Sequence, residues 1–151
     1  MGPLAHLRGR MPNPYNLQRF LDAQAPVYAR VLAELGAGRK QSHWMWFVFP
    51  QLTGLGHSPI AQTFGISSLE EAKAYLAHEV LGPRLAECTR LVLAAGEQPI
   101  GEILGYPDDL KFRSCMTLFA RAAGEAESVF TEALARFFAG EPDSRTLELL
   151  K

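Results

Sequence analysis

From Ser42 to Phe49 the chain reads SHWMWFVF, and Pro50 closes the run. Two tryptophans, two phenylalanines, a methionine and a valine so close together leave no side that water tolerates. A chain carrying this stretch has to enclose it, so its other elements must supply apolar faces around it. The wider stretch Arg39–Ser58, RKQSHWMWFVFPQLTGLGHS, holds both tryptophans of the chain, two of its nine phenylalanines and two of its four histidines. The apolar run is too short for periodicity to separate a buried helix from a buried strand. Ser42 as a cap, and the lack of a partner strand elsewhere in the sequence, favour a short buried helix broken by Pro50. Pro50 to Pro59, with glycines at 54 and 56, reads as a loop. The segment 42–58 therefore combines a buried aromatic run with a Gly-rich loop.

The rest of the sequence supplies helices. Asn16 follows a turn and can cap a helix that starts at Leu17, where Leu17, Phe20 and Leu21 form one apolar stripe. Pro26 starts a second helix or kinks a continuous one, and Val27, Val31, Leu32 and Leu35 carry the apolar face on to Gly36 and Gly38. Ser67 and Glu70 form a capping box ahead of Leu69, Ala72 and Leu76. That helix is expected to end near His78, with Leu81-Gly82-Pro83 as a turn and a long helix after it, stopped by Gly96. Phe64–Ile66 reads as brief and extended. Pro99–Leu104 is one helical turn ended by Gly105. Pro107-Asp108-Asp109 opens a helix that runs to Gly124, with its acids where the dipole favours them. Glu127–Phe138 is the last full helix, and Thr146–Leu150 is a short amphipathic tail. The expectation is an all-α, compact single-domain bundle of about six to eight short helices. At 151 residues one domain is expected, over 13–151, behind a flexible N-terminal tail at 1–12.

Composition narrows the partners. Fifteen basic residues against sixteen acidic ones give a net charge of −1, which argues against a nucleic-acid partner. No stretch of about 18 apolar residues and no leader pattern is present, so no membrane is expected and the chain reads as cytoplasmic. Cys88 and Cys115 lie in apolar surroundings and read as two buried thiols. No His/Cys cluster has metal-ligand spacing, so neither a metal nor another cofactor is expected.

Polar residues capable of chemistry come from separate segments. His43 stands beside Trp44 and is a candidate because histidine is the residue type suited to proton transfer at neutral pH, although a histidine among aromatics is also a common core residue. Trp44 and Trp46 are core, or else an aromatic shelf that stacks a ring. Gln51 and the loop through His57 and Ser58 offer backbone N–H groups to an anion, without completing any known phosphate motif. His78 and Arg84 flank Leu81-Gly82-Pro83. An arginine at a helix start opposes the dipole, so Arg84 pairs with an acid or binds an anionic ligand. Asp108, Lys111 and, less closely, Ser114 share one helical face: a capped start with an ion pair, or a polar cluster turned inward in which the lysine acts as base or nucleophile.

The stretches RFLDAQ (19–24), ELGAGRKQSHWMWFVFPQLTGLGHS (34–58), AYLAHEVLGPRL (74–85) and DLKFRSCMTLF (109–119) resemble a mostly bacterial family, the domain of unknown function 1810, sometimes mislabelled calpastatin. The resemblance runs from about Tyr15 to Phe138. It implies a compact all-helical domain and no established substrate, cofactor or catalytic residue. The polar members of the motif fall at Lys40, His43, Gln51, Ser58, His78, Arg84, Asp109, Lys111, Ser114 and Thr117.

Two functions remain open at this point. The first is a pocket for a nucleotide-like or other anionic small metabolite. There His43, His78, Lys111 and Ser114 are the candidate catalytic residues, and Trp44, Trp46, Gln51, Ser58 and Arg84 the candidate ligand-binding ones. The second is a non-enzymatic interaction module with a purely core aromatic segment. Monomer and homodimer are both compatible with the sequence.

Overall fold

The structure, a computed structural model, describes residues 14–124 and 126–151. The tail expected at 1–12 lies outside the described residues. Ten helices are present among those described: α1 (Gln18–Gln24), α2 (Tyr28–Gly36), α3 (Met45–Val48), α4 (Pro59–Thr63), α5 (Leu69–Ala77), α6 (Leu81–Leu93), α7 (Ile100–Leu104), α8 (Asp108–Ala122), α9 (Val129–Phe138) and α10 (Ser144–Leu149). Six of them have seven or more residues. The class is all-α. Helix α3 is the short buried helix expected between Ser42 and Phe49, ending before Pro50, whereas the single turn α4 was not expected from the sequence.

Helix α8 is the centre of the bundle and packs against α5, α7, α9 and α10. Phe112, Cys115, Met116, Leu118 and Phe119 are all buried on it. Phe112 and Phe119 lie seven residues apart, two turns along one face. Each anchors a chain of aromatic rings. From Phe112 the chain runs to Phe49 at 5.0 Å, edge to face, and on to Trp44 at 6.2 Å. From Phe119 it runs to Tyr75 at 5.2 Å and on to Phe20 at 5.1 Å. Such pairs add about 0.5–1.5 kcal/mol beyond the area they bury. The aromatic stretch is thus wired into the helix that carries Lys111 and Ser114.

The local details correct several expectations. Ser42 does not cap α3, whose first turn carries no side-chain cap. Its hydroxyl instead donates to Glu34 Oε2 at 2.5 Å. Glu34 is buried and also accepts from Gln41 N, Ser42 N and Trp44 Nε1 at 2.7, 3.0 and 2.9 Å. Burial alone would raise its pKa, yet these four hydrogen bonds overcome that and lower it to about 2. One carboxylate therefore pins the whole entry to the aromatic segment onto α2.

The cap of α5 sits one residue later than expected. Ser68 accepts from Glu71 N at 3.1 Å, while Ser67 donates its backbone N–H and its hydroxyl to Glu71 Oε1. Glu71 is engaged because Arg19 meets its other oxygen at 2.9 Å. The same guanidinium donates to Thr63 O and Gly65 O, tying α1 to the chain between α4 and α5. Beside it, Leu52 and Ile66 form an isolated parallel bridge: Thr53 N–H donates to Ile66 O and Ile66 N–H to Gln51 O, both at 2.9 Å. This closes the loop that the glycines open. Asn16 is no cap either: it takes a positive φ of 50°, and Leu17 holds the cap position without a side-chain bond. Leu81-Gly82-Pro83 is not a turn but the first turn of α6, where proline needs no N–H partner. Gly82 is required there, since a Cβ would stand 2.1 Å from Leu76 O.

Both cysteines are buried free thiols, and burial raises the pKa of Cys88 to about 12 and that of Cys115 well above its usual value. No described helix is long and apolar enough to cross a membrane.

Candidate functional site

Three elements wall an open cleft of about 360 Å³. The loop after the aromatic segment contributes Gln51, Leu55 and Gly56. The first two turns of α8 contribute Leu110, Lys111, Arg113 and Ser114, and the start of α10 contributes Asp143 and Arg145. Its position follows from the fold. The Leu52–Ile66 bridge holds the loop against the core, α8 enters the core at Phe112, and α10 packs back on α8.

The charge of this cleft is lopsided. Lys111 lies 3.7 Å from Asp108 Oδ1, a loose contact, with its ammonium 5.0 Å from the ring centroid of Trp46. Arg113 donates to Glu141 O at 3.0 Å and faces the exposed Glu141 carboxylate at 3.6 Å. Arg145 is exposed and, among the described residues, has neither a hydrogen bond nor an ion pair. The single acid of the lining, Asp143, spends its Oδ2 on Thr146 N–H and hydroxyl at 2.9 and 2.6 Å, capping α10. Three cations thus face one cleft with little to neutralise them, in a chain whose net charge is −1.

Lys111 and Gln51 are shared with a narrow apolar slot behind the cleft, walled by Met45, Trp46, Phe49, Ala61 and Phe64. The slot measures about 10 Å³, room for about one water-sized sphere. Trp46 lines this slot and lies under the Lys111 ammonium.

The cleft and slot bring together Trp46, Gln51, Lys111 and Ser114 of the residues singled out in the sequence. The Ser114 hydroxyl donates to Leu110 O at 3.3 Å and keeps its lone pairs for a donor. The other five candidates lie elsewhere. Trp44 is 1% exposed, with its indole N–H on Glu34, and cannot stack a ligand. His43 is exposed on the chain before α3 and lines neither cavity. Ser58 accepts from Ala61 N and caps α4. His78 ends α5, and its Nδ1 accepts from Val80 N and Leu81 N at 3.1 and 3.2 Å, bridging α5 to α6. Among the described residues Arg84 pairs with no acid: its guanidinium lies 4.4 Å over the Tyr28 ring and donates to Gln24 Oε1 at 3.3 Å. Gln24 in turn donates to Phe47 O and the Tyr75 hydroxyl. That network braces the far side of the aromatic segment.

Sequence reasoning missed Arg113 and Arg145. Arg145 carried a signal, since it stands in the first turn of a helix, where the dipole disfavours it; Arg113 carried none. A larger depression, about 610 Å³, lies at Arg90 and the start of α9. There one arginine faces Glu127 and Glu132, and no aromatic side chain lines it, so it lacks the chemistry of the smaller cleft. Among the described residues no group of three or more His, Cys, Asp or Glu side chains is placed to hold a metal ion.

A family model described as "Protein of unknown function (DUF1810)" matches residues 14–150. Among solved structures, the chain is similar to the conserved hypothetical protein Rv1873 from Mycobacterium tuberculosis, with 59% identity and a TM-score of 0.89. The match covers 91% of this chain and 98% of that one. No curated protein matches the chain.

Proposed function

The chain belongs to the DUF1810 family of proteins of unknown function, and on that premise we propose that it binds a small anionic, nucleotide-like metabolite in the cleft between the 51–56 loop, α8 and α10. One observation carries this reading. Lys111, Arg113 and Arg145 converge on a single open cleft, and none of them is held in a short ion pair. Like charges gathered with only loose counter-charges, Asp108 at 3.7 Å from Lys111 and Glu141 at 3.6 Å from Arg113, repel each other, and an anion entering between them relieves that cost. Arginine suits phosphate and carboxylate groups through its paired N–H donors, and lysine adds a compact charge. Gln51 and Ser114 add neutral polar groups at the same wall, suited to orienting the ligand. No histidine lines the cleft among the described residues, so the reading is of binding rather than proton transfer.

A thermal-shift titration with adenosine diphosphate and pyrophosphate, on the wild type and a Lys111→Ala/Arg145→Ala variant, tests it. A probe at 100 times its dissociation constant adds about 2.7 kcal/mol to the native state. A shift in the wild type that a folded variant loses supports the cleft. A shift that the variant retains in full refutes it.

A further inference from the structure

Gln51 stands where the basic cleft meets the apolar slot, and it lines both. Its main chain is fixed: it follows Pro50, and its carbonyl accepts from Ile66 N–H at 2.9 Å beside the bridge that pins the loop. Its side chain is not committed in the same way. Elsewhere in the fold Gln24, Gln62 and Gln98 each spend their amide on a backbone carbonyl. The amide of the half-buried Gln51 has no hydrogen-bond partner among the described residues. Every buried side-chain nitrogen or oxygen among those residues does have a partner, so both polar atoms of this amide reach open space. Its Nε2 lies 3.4 Å from where a Cβ on Gly56 would stand, at the cleft's loop wall. The Ala61 Cβ of the slot lies 2.7 Å from that same position. A side chain at 56 would crowd the amide, and glycine leaves it accessible.

The other polar side chains of the cleft are one-sided. Lys111, Arg113 and Arg145 only donate, the Asp143 carboxylate only accepts, and the Ser114 hydroxyl directs its proton to Leu110 O. The Gln51 amide holds a donor and an acceptor side by side in one plane. A phosphate group offers acceptor oxygens to the three cations and nothing to Gln51 Oε1. Resting on the reading of the cleft as an anion site, we infer that Gln51 sets its specificity by pairing with a planar donor–acceptor edge on the uncharged part of the ligand. Adenine carries such an edge. Its 6-amino group donates to a glutamine Oε1 while a neighbouring ring nitrogen accepts from Nε2, the pairing by which glutamine reads this base. The ligand class is then an adenine nucleotide, in preference to an inorganic phosphate or to a nucleotide that lacks the amino group.

Isothermal titration of the full chain with three probes separates the two claims: adenosine diphosphate, purine riboside diphosphate (the same nucleotide without the 6-amino group) and pyrophosphate. The wild type should bind adenosine diphosphate about fivefold more tightly than purine riboside diphosphate, the worth of one neutral hydrogen bond. Gln51→Met, which keeps the length of the side chain, should abolish that preference and leave pyrophosphate binding unchanged. Lys111→Ala should weaken all three probes. A wild type without the preference overturns the role of Gln51, whatever the variants do. So does a Gln51→Met variant that retains the preference, or one that is folded and weakens all three probes equally. In each of those cases the anion cleft still stands on the weakening of pyrophosphate by Lys111→Ala. If the wild type binds none of the probes, both claims are overturned.

Discussion

Lys40 Nζ lies 2.9 Å from Asp108 Oδ2, and the other oxygen of that carboxylate lies 3.7 Å from Lys111 Nζ. The two lysines are not equivalent. The Lys40 side chain is 8% exposed and sits over the Trp44 ring, whereas that of Lys111 is 26% exposed and sits over Trp46. Asp108 is committed to the buried lysine and only leans toward the one at the cleft. Lys40→Met should therefore cost about 2–3 kcal/mol of stability, because it strands a partly buried carboxylate. Lys111→Met should cost less than about 1 kcal/mol. Chemical denaturation of the two variants checks the difference, and equal losses would contradict it.

Glu34 makes the fold sensitive to acid. Its carboxyl has a pKa of about 2 in the native state against 4.5 when unfolded. A carboxyl whose native value is depressed stabilises fully above the unfolded value and loses that contribution as the pH falls toward the native one. The window is thus pH 4.5 down to about 2, and the contribution is on the order of 2–3 kcal/mol. Glu34→Gln should remove most of it at pH 7. The stability of the variant should then depend less on pH between 5 and 3, as followed by urea denaturation at each pH.

Gly82→Ala should be among the most damaging conservative changes in the chain. The new methyl would stand 2.1 Å from Leu76 O and 2.9 Å from its carbonyl carbon, both backbone atoms with little freedom to yield. Helices α5 and α6 would have to separate, at a cost of about 2–3 kcal/mol or more. Helix propensity alone would favour alanine over glycine, so a lowered melting temperature isolates the close approach as the cause.

Ser114→Ala should behave in the opposite way. The hydroxyl donates to Leu110 O within its own helix at 3.3 Å, and that carbonyl already belongs to the helix ladder. Stability should change by no more than about 0.5 kcal/mol. Affinity for adenosine diphosphate should fall by roughly fivefold, the worth of one neutral hydrogen bond. Unchanged affinity would remove Ser114 from the site while leaving the cations in place.

The helical class was legible because the breakers are local: Gly36, Pro50, Gly96, Gly105 and Gly124 each mark a boundary near the one observed. The cap assignments were legible only to within a residue, and for a tertiary reason. Two adjacent serines face two adjacent glutamates at 67–71, and Arg19, about fifty residues earlier, takes Glu71 and so selects Ser68 as the cap. Ser42 had the right chemistry for a helix start, but Glu34 on another helix claims its hydroxyl. The site was half legible for the same reason. Trp46, Gln51, Lys111 and Ser114 share a motif-rich stretch or a helix face, whereas Arg145 reaches the cleft only because α10 folds back onto α8.

The unequal burial of the two indoles provides the protein with a pair of optical reporters. Trp44, sealed in the core with its N–H on a carboxylate, should emit toward the blue and resist collisional quenching by iodide. Trp46, half-buried beneath a lysine at the cleft, should emit further to the red and be the indole that iodide reaches. Fluorescence can then follow unfolding through one residue and events at the cleft through the other, without a label. Trp44→Phe and Trp46→Phe variants would resolve the spectrum into those two channels.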